Sequence, residues 1–558
     1  MKLLQTIQGI IAEITKDGSG ALRTETGRLI FVYGTIPCET VTAKMIKRVK
    51  EAFRGQLISI DRPSKDRVIP ACPHARLTEQ KNTQSFGQAG ICGGCKWQHI
   101  AYPFQVELKL AEMQKAFAAV DIPCPIAKIL PSPEPFFYRN RMDFVFGANG
   151  ELGMKAPDRW WDVLNLTTCL LLSRETKEIL DLVRDWTKKS GLPFWNSKEY
   201  KGFFRYLVIR EGKNTNERMV TLVTAPPSQN ICQSLGGKAM PPVLAEFAEI
   251  LAPLATSILW GINGSITDLS TAEQVIPLKG DPWIHEEVNN IRYKITPNAF
   301  FQTNTHMAAK LQKIVLDFCG DISQKTILDL YCGSGFFSLA LTRQSSISSL
   351  RTPARPEDSG RTGGRSLERV IPPLARGRMK QSPGGIASSF ALAELRTDRS
   401  SPATPRNDRT KIIGIELSAE AIACAKENAA INGRVMPNGD PDGAQAQPST
   451  DGEIRQQDPA VDFVVSKAED FDWKRYKPEV VVLDPPRAGL HPRVIETILA
   501  ALPETIVYVS CNYHRTIQEL PKFLEKYDIA DAVALDLFPQ TPHVECVFKL
   551  IRRNGVLF

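Results

Sequence analysis

The sequence predicts an α/β fold, with an open Rossmann-like parallel sheet in the carboxyl-terminal half, a small β-barrel at the amino terminus and a central α+β region between them. Three observations carry this. After residue 296, apolar strands alternate with helical stretches and run out on polar residues: Ile327-Leu328-Asp329-Leu330 precedes Tyr331-Cys332-Gly333-Ser334-Gly335, and Lys411-Ile412-Ile413-Gly414-Ile415 precedes Glu416. Strands apolar on both faces belong to parallel sheets covered by helices, and such sheets place their chemistry at the carboxyl edge. Residues 1–62 instead alternate apolar and polar positions, as in Gln8-Gly9-Ile10-Ile11-Ala12-Glu13-Ile14, with turn residues at Asp17-Gly18-Ser19-Gly20. That is the pattern of a small antiparallel barrel. Lastly, 558 residues are too many for one core, so two to four domains are expected.

In chain order, residues 1–62 form the barrel, an architecture that often holds oligonucleotides. Lys44, Lys47, Arg48 and Lys50 give it a basic patch, either an RNA contact or a solvated face. Residues 63–102 carry Cys72 and Cys92-Gly93-Gly94-Cys95, which with Cys169 make a four-thiolate set; spacing alone leaves zinc and iron–sulfur both open. Residues 103–130 open with a helix over 103–120. Residues 131–295 form the central α+β region, where Tyr138-Arg139-Asn140-Arg141-Met142-Asp143-Phe144 and Phe203-Phe204-Arg205-Tyr206-Leu207-Val208-Ile209-Arg210 set arginines among aromatics on strands. Such a mixture suits stacking and phosphate contacts with single-stranded RNA, or else is a core with surface arginines. Residues 296–558 carry the parallel sheet, interrupted by insertions at about 345–410 and 435–459.

The candidate site residues sit where these strands end. Glycines at 333 and 335 let the backbone approach a ligand closely. Glu416, ending the next strand, stands where an acidic residue accepts hydrogen bonds from the ribose of an adenosine cofactor. A dinucleotide site would want a third glycine where Ser338 stands, so the arrangement matches class I S-adenosylmethionine methyltransferases better. Leu483-Asp484-Pro485-Pro486-Arg487 ends a further strand at the same edge. Cys511 follows another, residues 504–509; taken alone it would more often be a small buried hydrophobe, as most unpaired cysteines are, but the neighbouring motifs make it a candidate nucleophile.

Five ordered segments resemble one family, the RNA uracil-5-methyltransferases: Asn298-Ala299-Phe300-Phe301-Gln302-Thr303-Asn304, the loop 328–335, residues 483–487, residues 509–512, and Phe538-Pro539-Gln540-Thr541-Pro542-His543-Val544-Glu545. The resemblance implies that Gln302, Tyr331, Glu416 and Asp484 contact S-adenosylmethionine, that Cys511 is the nucleophile and that Glu545 is the base. Phe336 departs from the family, which commonly has a polar residue after the second glycine. The cysteine segment resembles the family's [4Fe-4S] motif, which tips Cys72, Cys92, Cys95 and Cys169 toward iron–sulfur, although residues 73–91 make a longer loop than usual. The barrel resembles the family's TRAM module, and the helix at 103–120 is expected to belong spatially with the catalytic domain.

The implied activity is transfer of a methyl group to C5 of a uridine in RNA. The cluster-bearing branch of the family points to 23S rRNA, with tRNA as the alternative. Cytosine-5 methylation of RNA uses similar addition chemistry but lacks the terminal His-Val-Glu. A non-catalytic RNA-binding or RNA-folding protein would not need Cys511 and Glu545. The net charge of +8 is a weak RNA signal, because the segment 345–410 holds twelve Arg and Lys against six Asp and Glu and so supplies most of it. That segment is rich in Arg, Pro, Ser and Gly, a composition that does not build a core. Twelve cysteines without a secretory or membrane-spanning apolar run fit a cytoplasmic, reduced protein, expected to act as a monomer.

Overall fold

The computed structural model describes residues 4–24, 27–50, 52–76, 91–157, 159–227, 242–351, 410–433 and 460–554. The insertion at 435–459 lies outside the described residues, as does that at 345–410 apart from Thr410 and the end of the helix Phe336–Arg351. Among the described residues, no helix is long and apolar enough to cross a membrane.

The amino-terminal strands close into a five-stranded barrel in the order Thr6–Ile14, Gly20–Arg23, Leu29–Val32, Ala52–Arg62 and Thr40–Val49. Alternation decides its inside. Ile11, Leu22, Ile30, Val32, Val41, Ala43, Met45 and Phe53 fill the interior, while Lys47, Arg48 and Lys50 are exposed. The turn at Gly18, with φ of +86°, lets Thr15 N reach Ser19 O at 2.8 Å.

The central region is a seven-stranded sheet ordered Gln274–Lys279, Ser257–Ile262, Arg218–Thr224, Phe204–Glu211, Arg141–Phe146, Leu152–Ala156 and Arg159–Asn165, packed against the helices Thr176–Ser190 and Pro242–Leu251. Of the two readings of the aromatic and arginine strands, the core reading holds for the aromatics, but Arg205 and Arg210 are not on the surface as it had them. Tyr138, Phe144, Phe203 and Phe204 are core, and Arg205 and Arg210 are buried with them. Arg205 donates to Asn263 O, Ser265 O and Thr267 O, and Arg210 donates to Pro297 O at 3.1 Å and to Ala299 O. Buried guanidinium groups must find acceptors, and loop carbonyls consume these two.

The carboxyl-terminal sheet has eight strands: Ala460–Val465, Lys411–Glu416, Thr326–Leu330, Val480–Leu483, Thr505–Ser510, Glu545–Arg552, Tyr527–Leu535 and Ile129–Leu130. The first five run parallel; Glu545–Arg552 inserts antiparallel between Thr505–Ser510 and Tyr527–Leu535. Val480, Val482, Val507 and Val509 face one core, and Val481, Leu483, Ile506 and Tyr508 face the other. Both faces are therefore covered, which explains the continuous apolar runs. The helix Tyr102–Ala118 lies on one face, with Met113 and Phe117 in the core that holds Phe548.

Candidate active site

Turns at the carboxyl edge of the parallel strands enclose a cavity of about 660 Å³. Gln302, Tyr331, Glu416, Asp484, Cys511 and Glu545 all line it, so the six residues put forward from the sequence for donor binding and catalysis meet in one place.

The strand Thr326–Leu330 ends at Tyr331, whose φ of +65° is a region that non-glycine residues enter at a cost. Its amide is held by Ile415 O at 2.9 Å. Gly333 follows at φ +55°, and a Cβ built there would meet nothing within 4 Å, so the turn leaves open space at the cavity wall. Glu416 ties this turn to its own: Gly333 N donates to Oε2 at 3.3 Å and Ser418 N to Oε1 at 2.9 Å. A carboxylate fixed in this way still has lone pairs for a ribose.

Asp484 hangs below the same edge, where Gln302 Nε2 donates to its Oδ2 at 3.3 Å. Burial lifts its pKa to about 7, and Asp329 adds to the shift. Asp329 lies beneath the turn, fully buried, with one oxygen accepting from Ser338 Oγ at 2.5 Å and burial raising it to about 7 as well.

Cys511 and Glu545 are brought together by strand register. Ser510 pairs with Cys546, so extending the antiparallel ladder by one residue sets Cys511 across from Glu545. Burial, then Glu545 and Asp484, push the thiol up to about 11, while Arg487 pulls it down. Cys511 also just precedes the helix Tyr513–Leu524, whose amino-terminal dipole favours a thiolate. Glu545 is 2% exposed, and its Oε1 has no hydrogen-bond partner among the described residues. Burial and the neighbouring Asp484 hold its pKa well above the carboxylate range. A thiol thus faces a carboxyl group of raised basicity, a pairing suited to addition followed by proton removal.

The cavity also takes residues that sequence reasoning did not assign to it. Arg139 reaches it from the turn before Arg141–Phe146, and Lys467 and Glu469 follow the strand Ala460–Val465. The carboxyl-edge rule that pointed to Glu416 covers Lys467 and Glu469 equally. Phe300, 65% exposed, stands at the mouth. Phe336 is outside it, buried against Tyr293 and Phe301 with ring centroids 5.6 Å from each.

The four expected metal-ligand cysteines also gather. Cys92 N donates to His74 O at 2.8 Å, and His74 Nε2 accepts from Thr167 N at 2.9 Å, which joins the Cys72 turn to the segments carrying Cys92 and Cys169. Cys72 N donates to Gln98 Oε1 at 3.1 Å, three residues beyond Cys95. Burial raises the pKa of Cys92 to about 12 and holds that of Cys95 well above the usual thiol range, and within the set the thiols push one another up. Among the described residues, no three His, Cys, Asp or Glu side chains converge closely enough to hold a metal ion. The four thiols are therefore neighbours without being in contact around a single point.

An open parallel sheet with a ribose-type carboxylate after its second strand, and a thiol beside a carboxyl group at the same edge, is the constitution of a class I S-adenosylmethionine-dependent methyltransferase. Known proteins narrow the class. A family model described as tRNA (uracil-5-)-methyltransferase matches residues 276–348 and 409–553. Over most of its length the chain is 28% identical to a tRNA (uracil(54)-C(5))-methyltransferase of Pyrococcus horikoshii, covering 98% of this chain and 100% of the relative. It is 29% identical to an uncharacterized RNA methyltransferase of Clostridium tetani, covering 95% and 94% respectively. The crystal structure of the Pyrococcus abyssi tRNA (uracil-54, C5)-methyltransferase in complex with S-adenosyl-L-homocysteine superposes with a TM-score of 0.65 at 24% identity, covering 98% of this chain and all of that one. In its carboxyl-terminal half the chain is similar to the RNA uracil-5-methyltransferase family.

Proposed function

We propose that the protein methylates C5 of a uridine in RNA, with Cys511 as nucleophile and Glu545 as base. The observation that carries this reading is the register that sets Cys511 and Glu545 side by side in the cavity bearing Glu416. S-adenosylmethionine supplies the electrophilic methyl group, and Gln302, Tyr331, Glu416 and Asp484 would hold it. Uracil C5 is a weak nucleophile, so the Cys511 thiolate first forms a bond to C6, and the electron pair released at C5 displaces the methyl from sulfur. Glu545 then removes the C5 proton, the C5–C6 double bond re-forms and the sulfur leaves. The target base must be out of any stack for C6 to be reached, which favours a loop or single-stranded site.

Two RNA classes are in play. The cysteine motif points to 23S rRNA, whereas the Pyrococcus relatives carry tRNA in their names, which favours tRNA as a second reading. Nucleoside mass spectrometry of separated tRNA and rRNA from a deletion strain decides between them: the fraction that loses 5-methyluridine is the substrate. Loss of 5-methylcytidine instead would overturn the uracil assignment.

The cavity's electrostatics predict how the donor binds. Asp484 and Asp329 titrate near 7 because burial penalises their charge, and a cation in the cavity favours the ionised forms. Affinity for S-adenosylmethionine should therefore rise between pH 6 and 8, with proton release on binding. S-adenosylhomocysteine, without the sulfonium charge, should show a flatter profile. Calorimetry in buffers of different ionisation enthalpy measures both.

We further propose that Cys72, Cys92, Cys95 and Cys169 bind a [4Fe-4S] cluster and that the barrel is a TRAM-type RNA-docking module. The resemblance of the cysteine motif supports the cluster, as do the contacts that bring the Cys72, Cys92 and Cys169 segments together. Anaerobically purified protein should be brown and contain about four irons per chain, and Cys95→Ala should lose that iron while keeping donor affinity. Stoichiometric zinc without iron would reject the cluster.

A further inference from the structure

Glu545 begins a strand at the end of the loop 536–544, and its Oε1 makes no hydrogen bond among the described residues. Its position is thus set mainly by the backbone that leads into it. That loop is pinned from outside at successive residues. Lys109 Nζ donates to Phe538 O at 3.2 Å, and Tyr138 OH to Pro539 O at 3.0 Å. Gln540 is the most heavily held. It sits at φ +67° and is 3% exposed; its N–H donates to Gln105 Oε1 at 3.0 Å, its side-chain oxygen accepts from Gln105 Nε2 at 2.9 Å, and its carbonyl accepts from Trp97 N at 3.0 Å. A non-glycine residue persists in that backbone region only where its surroundings over-determine it.

Trp97 stands two residues beyond Cys95, and Gln105 Nε2 also lies 3.1 Å from Trp97 O and 2.9 Å from Ile100 O. One fully buried amide therefore bridges the cysteine-bearing segment and the loop that delivers the base. We propose that Gln105 is a positioning residue for proton removal, acting through Gln540 to fix Glu545 relative to Cys511, with the cysteine segment as its anchor. This rests on the reading of Glu545 as the base.

The test uses full-length protein, S-adenosylmethionine and RNA containing the mapped uridine, and follows the covalent protein–RNA adduct on denaturing gels in single turnover. Gln105→Met keeps the side chain's length and removes its hydrogen bonds. Donor affinity and the rate of adduct formation should stay within about 3-fold of wild type, while adduct decay slows about 10- to 100-fold, the scale of a misplaced catalytic group. Gln540→Met leaves its backbone bonds to Gln105 and Trp97 intact, so it should slow decay by less. Decay at the wild-type rate in both variants would overturn the proposal, and so would equal losses in formation and decay, which is what general destabilisation gives. If Gln105→Met does not fold, decay at the wild-type rate in Gln540→Met alone overturns it. Glu545→Gln, run in parallel, separates the two levels: if it traps no adduct, the base assignment fails, whereas a trapped adduct beside normal Gln105→Met decay removes only the positioning role.

Discussion

Glu545→Gln is expected to accumulate a methylated protein–RNA adduct, and Cys511→Ala to form none. The two residues face each other, but they act at different steps. Without the thiol nothing adds to C6, so Cys511→Ala should lose all turnover while binding donor normally, since Glu416, Asp484 and Gln302 are untouched. Without the carboxylate the addition and methyl transfer still proceed. The C5 proton then stays, the thioether cannot be expelled, and turnover should drop about 10²- to 10⁴-fold, the range of general-base contributions. Electrostatics sharpen the contrast. Glu545 is, after burial, the largest cause of the raised Cys511 pKa, so replacing it with a neutral amide lowers that pKa and leaves adduct formation as fast as wild type or faster. Ordinary turnover by Cys511→Ala would exclude covalent catalysis. An inactive, adduct-free Glu545→Gln would move Glu545 to an earlier step.

Much of this site could be read from the chain because Rossmann-like sheets obey a local rule. Glu416, Asp484 and Cys511 each follow a run of buried apolar residues, and the carboxyl ends of parallel strands open onto one crevice. The strand pattern alone places all three at that edge. Glu545 is different. It opens an antiparallel strand inserted between Thr505–Ser510 and Tyr527–Leu535, and strand order does not show in hydrophobic periodicity. Only the family resemblance pointed to it from sequence.

That the sequence left Arg205 and Arg210 open between RNA contact and surface positions has a related cause. An arginine beside aromatics on a strand reads the same whether it faces water or sits 2–3% exposed with loop carbonyls as partners. Those partners, Asn263, Ser265, Pro297 and Ala299, lie 58 to 89 residues downstream, beyond any local pattern. All four cysteines could be named from the sequence, but what brings Cys169 beside Cys92 is the packing of the central region and the His74 to Thr167 contact, which no local pattern shows.

Lys109 illustrates the longest such tie, and it carries the largest stability effect expected in the molecule. Its ammonium pairs with Asp536 at 2.7 Å, and both side chains are fully buried. Nothing in the apolar pattern of the helix Tyr102–Ala118 marks Lys109 as a core residue; its partner lies more than four hundred positions away on the loop that leads to Glu545. Two charges removed from water are tolerable only while they neutralise each other. Lys109→Met strands Asp536 in the interior and should cost about 3–5 kcal/mol. For a catalytic core of roughly 250 residues this is a fall in Tm on the order of 10 °C. The double change Lys109→Met with Asp536→Leu removes both charges and should recover most of the loss, although Phe538 O still forfeits its donor. Urea unfolding of the four proteins in the cycle checks this. A single-variant cost below 1 kcal/mol, the range of exposed ion pairs, would mean that water reaches the pair and that the helix is not locked to the sheet through it.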